Sequence, residues 1–250
     1  MPTLRVATFN IRNINDRYEE RRPLLLEAFA AIDPDFIGLQ EVTFAEHDQD
    51  DMLAQALPAR TYRSLRAESP KFRGFGNAIL CAVGEVQTDE VLPLGPSRTV
   101  QRTMVVLPGQ KTVWFVNTHL HHKPLEPEVR TAQVSALLRW MSEAPIADAT
   151  IITGDFNMPS HEPGYALMEA ASFRSSYRMV HGREPAVTWP SGIQATTMDT
   201  EGEPNCLDYI WLSGSVTATS ARVAANEPAA NDPTLYPSDH FALVVEVSVG

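Results

Sequence analysis

Eight polar residues of this 250-residue chain stand beside short apolar runs in a way that could support chemistry: Asn10, Glu41, His119, Asp155, Asn157, Asp208, Asp239 and His240. Asn10 ends the run 4–9, Glu41 follows 36–39, His119 follows 112–118, and Asp155 with Asn157 follows 151–153 after Gly154. Asp208 opens the run 208–212, and Asp239-His240 directly precedes 241–247. Each position alone has an ordinary explanation: Asn and Asp at strand ends serve in turns, a Glu there faces solvent, and most histidines ligate nothing. Together, three acids and an Asn suit a hard cation, which takes oxygen ligands, while two His and a further Asp suit proton handling.

The elements that must carry these residues are legible from periodicity. Alternating β-rich residues predict a first strand over 4–9, and a short apolar run predicts a buried strand over 36–39. Between them Leu25, Ala28, Phe29 and Ile32 mark one face of a helix over 24–32 that starts behind Pro23 and stops at Asp33-Pro34. A shorter helix is expected over 51–57. Runs at 77–83, 86–92, 103–107 and 112–118, separated by Gly and Pro, predict mostly antiparallel strands. Val129, Gln133, Ala136, Leu137 and Trp140 recur at helical spacing behind Pro127, so a helix covers the sheet there. A strand over 150–153, a helix over 163–171 and strands over 208–212, 216–223 and 241–247 complete the pattern, the last two flanking a Pro/Asn-rich loop at 226–237. No linker divides the chain, so 1–250 reads as a single domain with sheets inside and helices outside.

Composition narrows the function classes. Twenty Lys and Arg face 31 Asp and Glu, a net charge of −11, and residues 126–250 hold 6 basic against 16 acidic side chains. That balance argues against a broad basic face gripping long nucleic acid through counterion release. A bound divalent cation could still create a local anion site. Cys81 and Cys206 cannot make a disulfide framework and fit a reducing compartment. The N-terminal residues show no charged leader with an apolar core, and no apolar run reaches the ~18 residues of a membrane span. The expectation is a cytoplasmic protein without a transmembrane segment; nothing in the sequence names a protein partner.

Six short motifs, in order, carry a resemblance: Thr8-Phe9-Asn10, Leu39-Gln40-Glu41-Val42, Asn117-Thr118-His119-Leu120, Gly154-Asp155-Phe156-Asn157, Leu207-Asp208-Tyr209-Ile210 and Ser238-Asp239-His240. In type and spacing they resemble the endonuclease/exonuclease/phosphatase superfamily. The resemblance implies an α/β fold, a four-layer α/β sandwich in which two mixed β-sheets pack face to face with helices on the outside, and one cleft at the strand ends. It further implies that Glu41 is the principal Mg²⁺ ligand, with Asn10 and Asp239 beside it, Mn²⁺ substituting. Asp155 would orient or deprotonate the attacking water, Asn157 would donate to phosphoryl oxygens, and Asp208 would hold the tautomer of His240. His240 would contact the phosphate or act as base and His119 would bind phosphate or assist the leaving group, with the choice between them open.

The implied activity is a divalent-metal-dependent phosphoesterase that hydrolyses a phosphodiester or phosphomonoester by in-line attack of water. The acidic balance favours a small or lipid-linked substrate, and the alternative is a Mg²⁺-dependent nuclease acting on short or single-stranded nucleic acid. A binding module that has lost its chemistry is disfavoured, because no motif lacks a required group. Asn77, Arg102 and His121 are candidate substrate contacts: Asn77 lies in the flexible Gly74-Phe75-Gly76-Asn77 segment and His121 follows the middle strand. The basic stretch 60–73 reads either as a strand with solvated arginines or as an anion contact. Trp114, Trp140 and Trp211 are expected in core or rim, and Trp189, in a loop, could line the cleft.

Overall fold

The computed structural model describes residues 3–196 and 202–250. Its strands are β1 (Thr3–Asn10), β2 (Phe36–Thr43), β3 (Arg63–Glu68), β4 (Phe75–Cys81), β5 (Glu85–Pro93), β6 (Thr99–Val106), β7 (Thr112–His119), β8 (Ala149–Asp155), β9 (Arg174–Ser175), β10 (Asp208–Gly214), β11 (Val216–Ala224) and β12 (Ala242–Val249). The helices are α1 (Tyr18–Ile32), α2 (Gln49–Gln55), α3 (Pro127–Ser142), α4 (Pro163–Ala170) and α5 (Ser176–His181).

Two six-stranded sheets form, ordered β11-β12-β1-β2-β4-β3 and β5-β6-β7-β8-β10-β9. Each is mixed: β1 runs parallel to β2 across α1, β7 runs parallel to β8 across α3, and the other pairs are antiparallel. A parallel pair needs a crossover, and a helix on the outer face supplies it. Apolar residues from both inner faces, among them Val6, Ile79, Phe115, Ile151, Ile210 and Val245, make the central core. Phe36 and Phe115 stack across it with ring centroids 4.7 Å apart. A second cluster joins Leu25, Phe29 and Ile32 of α1 to the outside of the first sheet, and a third joins Val134 and Leu137 of α3 to the outside of the second. The expected four-layer sandwich is thus the observed one.

Register brings the polar strand ends together. Asn10 lies beside Gln40 in the β1–β2 pair, and Asp155 lies between His119 on β7 and Asp208 on β10. A buried polar staple holds the two sheets in this alignment. Asn117 Nδ2 donates to the carbonyls of Leu39 (2.9 Å) and Ala78 (3.0 Å), and Gln40 Nε2 donates to Asn117 Oδ1 at 2.7 Å. Gly38 leaves the space for it, since a Cβ there would collide with Thr153 Oγ1 and Asn117 Oδ1.

Several boundaries differ from the sequence expectation. Helix α1 begins at Tyr18 rather than 24, and Pro23 lies inside it on the exposed face, near enough to the start that one backbone bond is lost without breaking the helix. Helix α2 begins two residues early, and β6 begins at Thr99 rather than 103. Strand β9 and helix α5 were not foreseen, although Ser175 caps Arg178 N–H and Gly182 closes the helix at φ 73°. Among the described residues no helix is long and apolar enough to cross a membrane, and both cysteines are buried free thiols.

One buried ion pair ties a loop of the cleft to the helical layer. Arg130 on α3 meets Glu162 through Nε to Oε2 at 2.9 Å and Nη2 to Oε1 at 2.6 Å, and also donates to the carbonyls of His121, Lys123 and Pro124. Its guanidinium is fully buried. Arg130→Met leaves the buried Glu162 carboxylate without its partner and removes the donor to three loop carbonyls, and is expected to destabilise the fold by about 3–5 kcal/mol. Urea unfolding monitored by circular dichroism checks this; a change below about 1 kcal/mol, the range of exposed pairs, would contradict it.

Candidate active site

The strand ends open onto a cleft of about 550 Å³. At its floor Asp155, the last residue of β8, is the point of convergence. Its Oδ2 accepts from Asn10 Nδ2 at 3.0 Å and lies 3.4 Å from His119 Nε2 and 3.6 Å from His240 Nε2, while its Oδ1 accepts from Asn157 N–H at 2.9 Å. Burial pushes the Asp155 carboxyl well above the usual carboxylate range, against the opposing pull of His240. Behind His240, Asp208 Oδ2 accepts from Nδ1 at 2.9 Å. Burial alone would drive His240 toward the neutral ring, but the carboxylates of Asp208 and Asp155 outweigh it and hold its pKa above the ordinary value. His119 goes the other way, pushed well below the ordinary value by burial and by Arg98, His240 and His122.

Glu41 reaches the mouth through a distortion of its strand. Leu39 pairs with Ala78 but Val42 pairs with Gly76, so two residues of β2 oppose one of β4 in a bulge. Glu41 there has φ 55°, a left-handed conformation that costs a residue other than Gly about 1–2 kcal/mol. The expectation that Glu41 ends its strand is corrected: β2 continues to Thr43, and the bulge turns this one side chain into the cleft. Asn157 is also left-handed, at φ 49°, which Asn tolerates.

Glu41 and Asp239 line this mouth, with the buried Asn10 beside Glu41. Asn10 Nδ2 lies 3.4 Å from Glu41 Oε1, Asn13 Nδ2 donates to Glu41 Oε2 at 2.8 Å, and Arg12 Nη1 lies 3.5 Å from Asp239 Oδ2. The carboxylates of Glu41 and Asp239, with no thiolate beside them, are the donor chemistry of a hard divalent cation and fit one, whereas the Asn10 amide oxygen accepts from Arg12 N–H at 3.0 Å. Deeper in, ligand atoms of Asp155, Asp208 and His240 lie within 4.8 Å of one another, close enough to share a cation. There, however, His240 Nδ1 is already bonded to Asp208, so that trio is a carboxylate–imidazole chain.

All eight strand-end residues are therefore brought to one edge, but the three candidate substrate contacts find other partners. Arg102 lies on the outer face, its guanidinium 4.0 Å from the Trp140 ring and bonded to Glu90 and the Trp140 carbonyl, so it packs β6 against α3. His121 turns toward Glu126 (2.8 Å) while its neighbour His122 faces the cleft. Asn77 is buried with its amide on Thr99 Oγ1. In the basic stretch, Arg60 pairs with Asp33 and Asp35 and Arg66 with Asp48, Asp50 and Asp51; only Lys71 lines the cleft. Trp189 lines it as well, with Phe72 and Phe75.

Sequence reasoning missed three arginines. Arg21 is buried in α1 and donates to the carbonyls of Ile11, Arg12, Asn13, Asn15, Asp16 and Pro237, shaping the loop that carries Arg12 and holding it against the segment that leads to Asp239. Arg12 faces Asp239 and Glu41, whose charges outweigh its burial and raise its pKa. Arg98, directly before β6, places Nη1 2.9 Å from His119 Nδ1 and Nη2 3.2 Å from His122 Nδ1. Arg98 lies in the loop at the cleft because β6 starts at Thr99, a boundary that the sequence pattern placed at 103.

Comparison with known proteins agrees with this geometry. The Endonuclease/Exonuclease/phosphatase family pattern matches residues 7–240. No curated protein sequence matches at a significant level. Among solved structures, an endonuclease/exonuclease/phosphatase from Bacteroides vulgatus superposes with TM-score 0.81 at 20% identity, covering all of both chains. The human Nocturnin catalytic domain with bound sulfate gives 0.79 at 22%, over 100% of this chain and 95% of that one. TDP2 of D. rerio in complex with a single-strand DNA product gives 0.77 at 17%, over 99% and 100%. At these identities the structures speak for the fold alone, and it is the family pattern, spanning all six motifs up to His240, by which the chain belongs to the endonuclease/exonuclease/phosphatase family, whose members are hydrolases of phosphate esters.

Proposed function

We propose that this chain is a divalent-metal-dependent phosphoesterase that cleaves its substrate by in-line attack of an activated water. The observation that carries the reading is the convergence of Asn10, His119, Asn157 and His240 on the Asp155 carboxylate, one buried acceptor at the floor of a cleft whose mouth holds Glu41 and Asp239. Asp155 orients the attacking water and takes its proton. His240, charged between Asp208 and Asp155, and the Asn157 amide donate to phosphoryl oxygens as charge develops. Glu41, Asn10 and Asp239 would hold Mg²⁺, or Mn²⁺ in its place, which supplies Lewis-acid stabilisation of the transition state.

A small phosphate ester fits the acidic balance and the confined cleft. The second reading, a nuclease on short or single-stranded ends, is favoured by the aromatic lining of Phe72, Phe75 and Trp189, since exposed bases stack on such rings. End-labelled single- and double-stranded oligonucleotides incubated in Mg²⁺, beside EDTA and a His240→Ala control, separate the two readings. Metal-dependent cleavage lost in the variant selects the nuclease. If folded protein leaves them intact, phosphorylated metabolites, nucleotides and lipid head groups are the substrates to assay. Activity persisting in EDTA would overturn the metal-dependent mechanism in either case.

A further inference from the structure

Arg98 and Asp208 stand behind the two cleft histidines in equivalent positions and are chemical opposites. Asp208 accepts from His240 Nδ1, whereas the atom facing His119 Nδ1 is a guanidinium nitrogen of Arg98. A guanidinium carries five N–H donors and no lone pair. A proton on His119 Nδ1 would set two donors against each other at 2.9 Å, and a doubly protonated ring would add a cation beside a cation. Nδ1 must therefore accept, and the ring proton belongs on Nε2, the atom 3.4 Å from Asp155 Oδ2. We propose that Arg98 is a positioning residue that locks His119 as the neutral, Nε2-protonated ring, so that His119 serves the substrate phosphate as a hydrogen-bond donor and not as a proton-transferring acid or base.

The other groups facing the His119 ring support this state. Asp155 Oδ2, from β8, lies 3.4 Å from Nε2 and favours a proton there; His240, from the segment before β12, and His122, from the loop after β7, add positive charge or none and so disfavour a second proton. No ion pair joins Arg98 to a carboxylate among the described residues, although Glu41 and Asp155 lie close enough to act on its charge. The two histidines are thereby held in opposite states: His240 donates at Nδ1 and His119 accepts there. This divides the roles that the motifs alone left interchangeable. The part played at the phosphate rests on the proposed phosphoester hydrolysis; the ring state does not.

Long-range proton–nitrogen NMR of histidine-labelled protein, with His119→Gln supplying the assignment, reads the ring directly. The expected result is one protonated and one bare ring nitrogen, Nδ1 bare, across about pH 5 to 8, where an ordinary histidine changes charge. A proton on Nδ1, or a doubly protonated ring within that window, overturns the proposal. In Arg98→Met the tautomer should no longer be fixed, so that part of the His119 rings carry the proton on Nδ1 while burial still keeps them neutral, and kcat should fall about 10–100-fold, the range for losing a partner that orients a functional side chain, with Arg98→Lys recovering part of both. An unchanged His119 ring in Arg98→Met also overturns it, and the wild-type spectrum decides if that variant does not fold. A ring state as expected in a protein that hydrolyses no phosphate ester would sink the proposed function alone.

Discussion

Replacing Asp155 by Asn is expected to lower turnover by about 10²–10⁴-fold, the contribution of a positioned acid/base group, and to leave the protein folded. The side chain is buried at the end of β8, beside β7 on one flank and β10 on the other. Of its carboxylate neighbours among the described residues, Asp208 is committed to His240 Nδ1 and Asp239 faces Arg12 at the mouth. An amide keeps the shape and still accepts from Asn157 N–H, but it cannot take a proton from water. Two effects on stability oppose one another, since the variant removes a buried charge and also an acceptor for Asn10 Nδ2. Near-UV circular dichroism should be unchanged. Turnover within tenfold of the parent would show that another group activates the water.

Glu41→Gln is the second large effect. Glu41 and Asp239 are the carboxylates proposed to hold the cation, and of the two only Glu41 is held in place by a strand bulge in a left-handed backbone conformation. Such strain persists where the surroundings over-determine it and clusters at functional sites. Gln retains the volume and can keep one acceptor for Asn13, so the fold survives, while the charge that would hold a cation is halved. Because metal stabilisation of the transition state amounts to several kcal/mol and about 1.4 kcal/mol is tenfold in rate, activity at moderate Mg²⁺ should drop at least about a hundredfold. Calorimetric titration with Mg²⁺ or Mn²⁺ should show weakened binding, and higher metal concentration should restore part of the rate. Unaltered metal affinity would mean that the cation is held elsewhere, with the deeper trio of Asp155, Asp208 and His240 the next place to look.

The two arginines near the start of β6 show what could be read from the chain and what could not. Arg98 and Arg102 have the same chemistry and stand four residues apart. The sequence pattern started the strand at 103, and Arg102 was a candidate substrate contact. The strand begins at Thr99, so Arg102 falls on its outer face, over Trp140, and Arg98 takes the loop. Boundaries of a few residues are weakly specified by local pattern, and here four residues decided which guanidinium meets the substrate side. His121 and His122 repeat the lesson, since consecutive loop residues point apart and nothing local says which ring turns inward.

From the sequence by itself came most of the strands and helices, through periodic runs, while the sandwich and the single cleft at the strand ends came through the resemblance that the six ordered motifs carry. The runs and motifs are local properties: alternation marks a strand and a polar residue often marks its end, although Glu41 proved to lie within β2. The tertiary structure alone decided the bulge that aims Glu41, the Asn117–Gln40 staple that aligns the sheets, and the state of the two histidines. Each of these depends on contacts between segments distant in the chain, 77 residues apart for the staple and 21 for Arg98 with His119. No local pattern encodes such a meeting, because it forms only when the folded sheets bring the two side chains together.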